Sequence, residues 1–98
     1  MIIVRNVFQL KFGKSREAVA LWKKGAVMLT KSTNAKVRLM TDVTGPFYTL
    51  VMELQFKTLS DFERGHGSAG ASKEWSAWYK KFATLVESGR REIYKTIE

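Results

Sequence analysis

The sequence predicts an α+β fold, one antiparallel sheet with helices packed against a single face. Three observations carry that expectation. Four stretches alternate apolar and polar residues with the period of two that a strand requires. Between them, two stretches place apolar residues at three- and four-residue spacing, the period of an amphipathic helix. The order along residues 1–98 is strand, helix, strand, strand, helix, strand, without linker, short-period repeat or low-complexity tail, so a single domain is expected.

Each element follows from its residues. Over 2–12, Ile2, Val4, Phe8, Leu10 and Phe12 share one face, and Ile3, Arg5, Val7, Gln9 and Lys11 share the other. Asn6 is the one polar residue on the apolar side. Gly13-Lys14-Ser15 makes a turn, Ser15 can cap a helix, and Glu17 suits its first turn. That helix is expected over 16–31, burying Ala18, Leu21, Trp22, Gly25, Met28 and Leu29 and fraying into Ser32-Thr33-Asn34. A second strand covers 36–43, with Val37, Leu39, Thr41 and Val43 opposite Lys36, Arg38, Met40 and Asp42. The tight Thr44-Gly45-Pro46 connection makes it the antiparallel neighbour of the next strand. That third strand, 45–56, organises the chain: Tyr48, Leu50, Met52, Leu54 and Phe56 form a fully apolar face, and Phe47, Thr49, Val51, Glu53 and Gln55 a mixed one.

A second helical region starts at Lys57, with Thr58 and Asp61 at capping-box spacing and Leu59, Phe62 and His66 on one face. Glycines 65, 67 and 70 would each cost about 1 kcal/mol inside a helix, so a loop is expected over 65–72. Ser72 can then cap a fresh helix carrying Trp75, Trp78, Tyr79, Phe82, Leu85 and Val86 and stopping at Gly89. The fourth strand is read over 90–97, with Ile93 and Ile97 on one face and Tyr94 on the other. Two right-handed crossovers give a ferredoxin-like βαββαβ sheet, order 4-1-3-2, with both helices on one face. Strands two and four carry Lys36, Arg38, Arg90, Arg91 and Lys95, as edges should.

Composition narrows the function classes. The chain has no Cys, which removes thiol chemistry, disulfides and thiolate metal sites and suits a cytoplasmic location. The longest uncharged run, 43–52, is too short to span a bilayer, and Arg5 interrupts any secretory apolar core. The net charge of +8 suits nucleic acid, an acidic membrane surface or an anionic metabolite, but the Lys23-Lys24, Lys80-Lys81 and Arg90-Arg91 pairs are dispersed among acids. Solvated faces account for such a pattern, and nucleic acid is the least favoured partner.

Helices cover only one face of this sheet. The other would show Ile3, Val7, Met40, Phe47, Val51 and Tyr94 among Arg5, Gln9, Arg38, Thr49, Glu53 and Gln55, too apolar to leave exposed. A homodimer through sheet faces would bury it. The length, the element order, the Lys57-Thr58-Leu59-Ser60-Asp61-Phe62-Glu63 segment after an apolar strand, and Ser72-Lys73-Glu74-Trp75 opening a Lys-rich helix together resemble the NIPSNAP-like branch of the dimeric α/β-barrel superfamily. The resemblance implies a homodimer with a pocket between each sheet and its own helices. It also implies relatives that include antibiotic-biosynthesis monooxygenases, haem-degrading enzymes and isomerases.

Candidate chemistry centres on Asn6 and His66. Asn6, polar on a helix-facing strand, reads either as a satisfied buried amide or as a group that orients a substrate. The haem-degrading relatives place an Asn on strand one, and Asn6 matches it. They also need a Trp followed by a His, whereas here His66 precedes Trp75, so haem is disfavoured and no cofactor is expected. His66, the lone histidine, cannot build a histidine-rich zinc site; it reads as a general base or as a structural helix-end residue. Trp22, Tyr48, Met52, Trp75 and Trp78 are the candidate pocket lining, suited to a small apolar or aromatic molecule. Arg5 or Arg38 would serve an anionic substrate if either faced the pocket. Gly65-His66-Gly67-Ser68-Ala69-Gly70 spells G-x-G-x-x-G but does not directly follow a strand, so it is no dinucleotide fingerprint. The third strand lacks the basic-Gly-aromatic motif of RNA-recognition domains, and Gly13-Lys14-Ser15-Arg16 is a poor acylphosphatase phosphate loop. Two functions remain: a pocket protein with cofactor-independent monooxygenase chemistry, or a non-enzymatic binding module on the same fold.

Overall fold

The register between the first and third strands decides which side chains face the helices. In the computed structural model, which describes residues 1–33, 35–70 and 72–97, β1 (Ile2–Leu10) lies antiparallel to β3 (Thr49–Phe56). Val4 sits opposite Leu54, Asn6 opposite Met52 and Phe8 opposite Leu50. β2 (Lys36–Thr41) flanks β3, and β4 (Val86–Lys95) flanks β1, giving the order β2-β3-β1-β4. This is the expected ferredoxin-like sheet. The helices α1 (Ser15–Thr33), α2 (Leu59–Gly70) and α3 (Lys73–Ala83) cover one face. Alternation does what it should: Val4, Leu10 and Leu50 point into the core, where they meet Trp22 of α1 and Phe82 of α3, all essentially inaccessible.

Three local expectations are corrected. The first is the loop over 65–72, where α2 runs on as helix through Gly70. Gly65 is buried against α1, and a Cβ there would lie 2.9 Å from Thr33 Cγ2, so the absent side chain lets two helices close on each other. That contact offsets the poor helix propensity of glycine. Asn34 of the predicted fray and Ala71 of the predicted loop lie outside the described residues.

The second correction is the end of α3. It stops at Ala83, where Thr84 caps it with its N–H directed to the Lys81 and Phe82 carbonyls. The N–H of Lys11 then donates to Leu85 O at 2.8 Å and draws the chain into the sheet. Val86 to Ser88 are therefore strand, and Gly89 sits inside β4. A Cβ at Gly89 would lie 3.0 Å from Phe8 Cδ1, so glycine makes room for that ring on the helix-facing side.

The third correction is the start of β3. The strand begins at Thr49, because Tyr48 adopts φ 59°, a left-handed conformation that breaks the alternation. Gln9 Nε2 donates to Phe47 O at 2.6 Å, and Asp42 Oδ1 accepts the Thr49 N–H at 2.9 Å, fixing the mouth of the β2–β3 hairpin.

Candidate functional site

A cavity of about 810 Å³ lies between the helices and strands β3, β1 and β4. Its wall is aromatic because three helices deliver rings to one place. Trp22 from α1 meets the α3 rings Trp78, Phe82 and Trp75 edge-on, at centroid distances of 4.4, 5.3 and 6.1 Å. Phe8 from β1 stacks on Trp22 at 6.0 Å, and Phe82 meets it edge-on at 4.8 Å. The indole N–H of Trp22 is buried without an acceptor among the described residues.

The polar groups gather where α2 passes over β1 and β4. Asn6 and Arg91 are cross-strand partners. Arg91 Nε donates to Asn6 Oδ1 at 2.8 Å, and its guanidinium stands 5.7 Å from the centroid of the Phe62 ring. Such a placement over a ring face is favourable for a cation. His66, one turn further along α2, stacks on the same Phe62 ring at 5.6 Å. Asn6 itself is buried. An aromatic chamber thus carries a small polar corner made of an amide, a guanidinium and an imidazole.

Of the residues singled out from sequence, Asn6, His66, Trp22, Met52 and Trp75 line this cavity. Two do not. Trp78 stands behind the wall: its Nε1–H donates to Leu21 O at 2.8 Å, and its ring fills the space left by Gly25. Tyr48, turned by its positive φ, meets Phe12 at 4.8 Å at the end of the sheet. Arg5 and Arg38 lie on the opposite face and reach no cavity group. Arg90 and Arg91, which the charge pattern assigns to a solvated edge, both border the cavity, and Arg91 is the one that meets Asn6 there. Strand alternation could have found it, since Arg91 shares parity with Ile93 on the apolar face.

On the open face, Arg5, Glu53 and Arg38 line up across three strands. Glu53 is 3% exposed, and its two oxygens accept from Arg5 Nη2 at 2.9 Å and Arg38 Nη2 at 2.6 Å. The Arg5 hydrogen bond, reinforced by Arg38, holds the carboxyl below the ordinary carboxylate range against the opposing effect of burial. Among the described residues no group of three acidic, histidine or cysteine side chains could hold a metal ion. No helix among them is long and apolar enough to cross a membrane.

A family model described as NIPSNAP matches residues 5–98. The chain belongs to the NIPSNAP family. Solved NIPSNAP proteins share its fold closely. One is an uncharacterized NIPSNAP domain protein from Burkholderia xenovorans, with TM-score 0.90 and 16% identity over 99% of this chain and 95% of that one. Another is a NIPSNAP family protein of unknown function from Agrobacterium tumefaciens, with TM-score 0.90 and 20% identity over 98% and 87% of the two chains. Beyond NIPSNAP proteins, the chain is similar to SnoaB, a cofactor-independent oxygenase from Streptomyces nogalater. That likeness has TM-score 0.77 and 11% identity over 99% and 93% of the chains. No curated protein matches this NIPSNAP sequence. At these identities the structural likeness establishes the fold.

Proposed function

We propose that the chain binds a small apolar or aromatic molecule in the cavity between its sheet and helices, as a homodimer assembled through the open sheet faces. The observation that carries the reading is the aromatic chamber of about 810 Å³ with Asn6 and His66 on its lining. Such a volume, apolar walls and few polar groups are the usual make-up of a small-molecule site. The similar fold of a cofactor-independent oxygenase makes oxygen-dependent turnover the activity to test first. The reading invokes no cofactor.

A non-enzymatic binding module is the second reading, and His66 favours it. A general base needs a partner that fixes its ring. His66 is exposed and stacks on Phe62, and neither ring nitrogen is hydrogen-bonded among the described residues. A panel of polycyclic aromatic compounds, followed by tryptophan fluorescence and then by absorbance under oxygen, separates the readings. Binding with oxygen-dependent product formation supports the oxygenase. Binding without turnover supports the module, and an absence of binding across the panel refutes both.

A further inference from the structure

Arg91 has no acidic partner among the described residues, unlike Arg5, Arg38, Arg64 and Arg90. Its Nε–H is committed to Asn6 Oδ1 at 2.8 Å. That bond fixes the plane of the guanidinium and leaves Nη1 and Nη2, the pair that meets a carboxylate through two parallel hydrogen bonds. It also fixes the amide of Asn6. Oδ1 must face the Arg91 donor, so the uncommitted end of the side chain is the Nδ2 amino group. Every unused polar atom in this pair is therefore a donor.

The rest of the lining agrees. Lys80 adds a second cation at the cavity margin. Arg90 also borders the cavity but is engaged by Glu92 at 3.1 Å. The acidic residue on the lining is Glu87; it is solvent-exposed, as are Arg91 and Lys80, so the charged groups stand at the open margin of the cavity. A guanidinium with both Nη groups uncommitted beside apolar rings, set on an amide whose open end is a donor, suits an anion better than a cationic ligand.

Resting on the reading that the cavity takes an apolar or aromatic molecule, we infer that this molecule is a carboxylic acid, bound as its carboxylate, and that Arg91 is the residue that selects it. Asn6 is a positioning residue, holding the guanidinium fork toward the cavity.

Naphthoate and its neutral isostere naphthamide test the inference in calorimetric titrations of the full chain. The wild type should bind naphthoate about 3- to 10-fold more tightly, the value of a charge-assisted hydrogen-bonded pair discounted because Arg91 is exposed to solvent. Arg91→Gln should lower naphthoate affinity much more than naphthamide affinity and so abolish the preference, with circular dichroism and Tm as the control for folding. Arg91→Lys keeps the charge and loses the fork, so it should retain only part of the preference; it carries the test if Arg91→Gln does not fold. Equal binding of the two probes by the wild type, or an undiminished preference in the folded variants, overturns the inference and leaves the pocket reading standing. Failure of the wild type to bind either probe overturns the inference, and the pocket reading falls with it when the wider aromatic panel also fails to bind.

Discussion

Gly25 is the position where a single methyl group should do most damage. A Cβ built there lies 2.5 Å from Trp78 Cζ2, 2.8 Å from Cε2 and 3.0 Å from Cη2. Relief to an ordinary carbon contact needs a displacement of about 1 Å. Trp78 has little freedom to supply it, being tied to Leu21 O and stacked on Trp75 at 4.8 Å and Phe82 at 5.5 Å. Overpacking of this kind costs about 1–3 kcal/mol, and the better helix propensity of alanine returns at most about 1. Gly25→Ala should therefore lose about 1–2 kcal/mol, read as a Tm lower by roughly 5–15 °C at fixed protein concentration. In a Trp78→Leu background the same change should cost little or stabilise, giving a coupling of at least about 1 kcal/mol. A higher Tm for Gly25→Ala alone, or the same loss in both backgrounds, would refute the close-packed contact between α1 and α3.

Further outcomes follow from the open face. Glu53→Gln should cost about 1–2 kcal/mol at neutral pH, a charged-bond value discounted because Arg5 and Arg38 are partly open to solvent. The Glu53 carboxyl is lowered from its ordinary 4.5, so its contribution is full above that value and fades as pH falls through the lower folded one. Urea midpoints of wild type and variant should accordingly converge as pH falls below about 4.5; a gap that does not narrow in acid would contradict the ion-paired carboxylate. Light scattering at micromolar concentration should give about twice the 11.2 kDa chain mass. Val51→Lys, between Val7 and Met40 at the centre of the open face, should reduce that to one chain mass. A wild-type monomer would end the homodimer reading.

The sheet was legible because alternation needs no tertiary knowledge. Leu50, Met52, Leu54 and Phe56 declare a helix-facing side, and the charged residues of the flanking strands declare edges. Features that depend on what a residue meets across space were not legible. Gly65 reads as a helix breaker until Thr33 is seen against it, and Gly89 reads as a helix stop until Phe8 is seen beside it. The site divides the same way. Asn6 stood out because a polar residue on an apolar strand face is anomalous by itself. Arg91 did not, because next to Arg90 it formed one solvated pair on paper, while a strand must send two neighbours to opposite faces. Tyr48 fitted the apolar alternation, yet its positive φ is imposed by the turn and removes it from the wall.

β4 lies at the margin of the sheet and is hydrogen-bonded to β1 alone. About half of its backbone amides therefore lack a neighbouring strand. Arg91 belongs to that strand, whereas Asn6 belongs to a central one. The cation of the cavity is thus mounted on an edge strand and its amide partner on a central one. Any loosening of the β1–β4 pairing would therefore separate Arg91 from Asn6 and take apart the polar corner while leaving the aromatic wall in place.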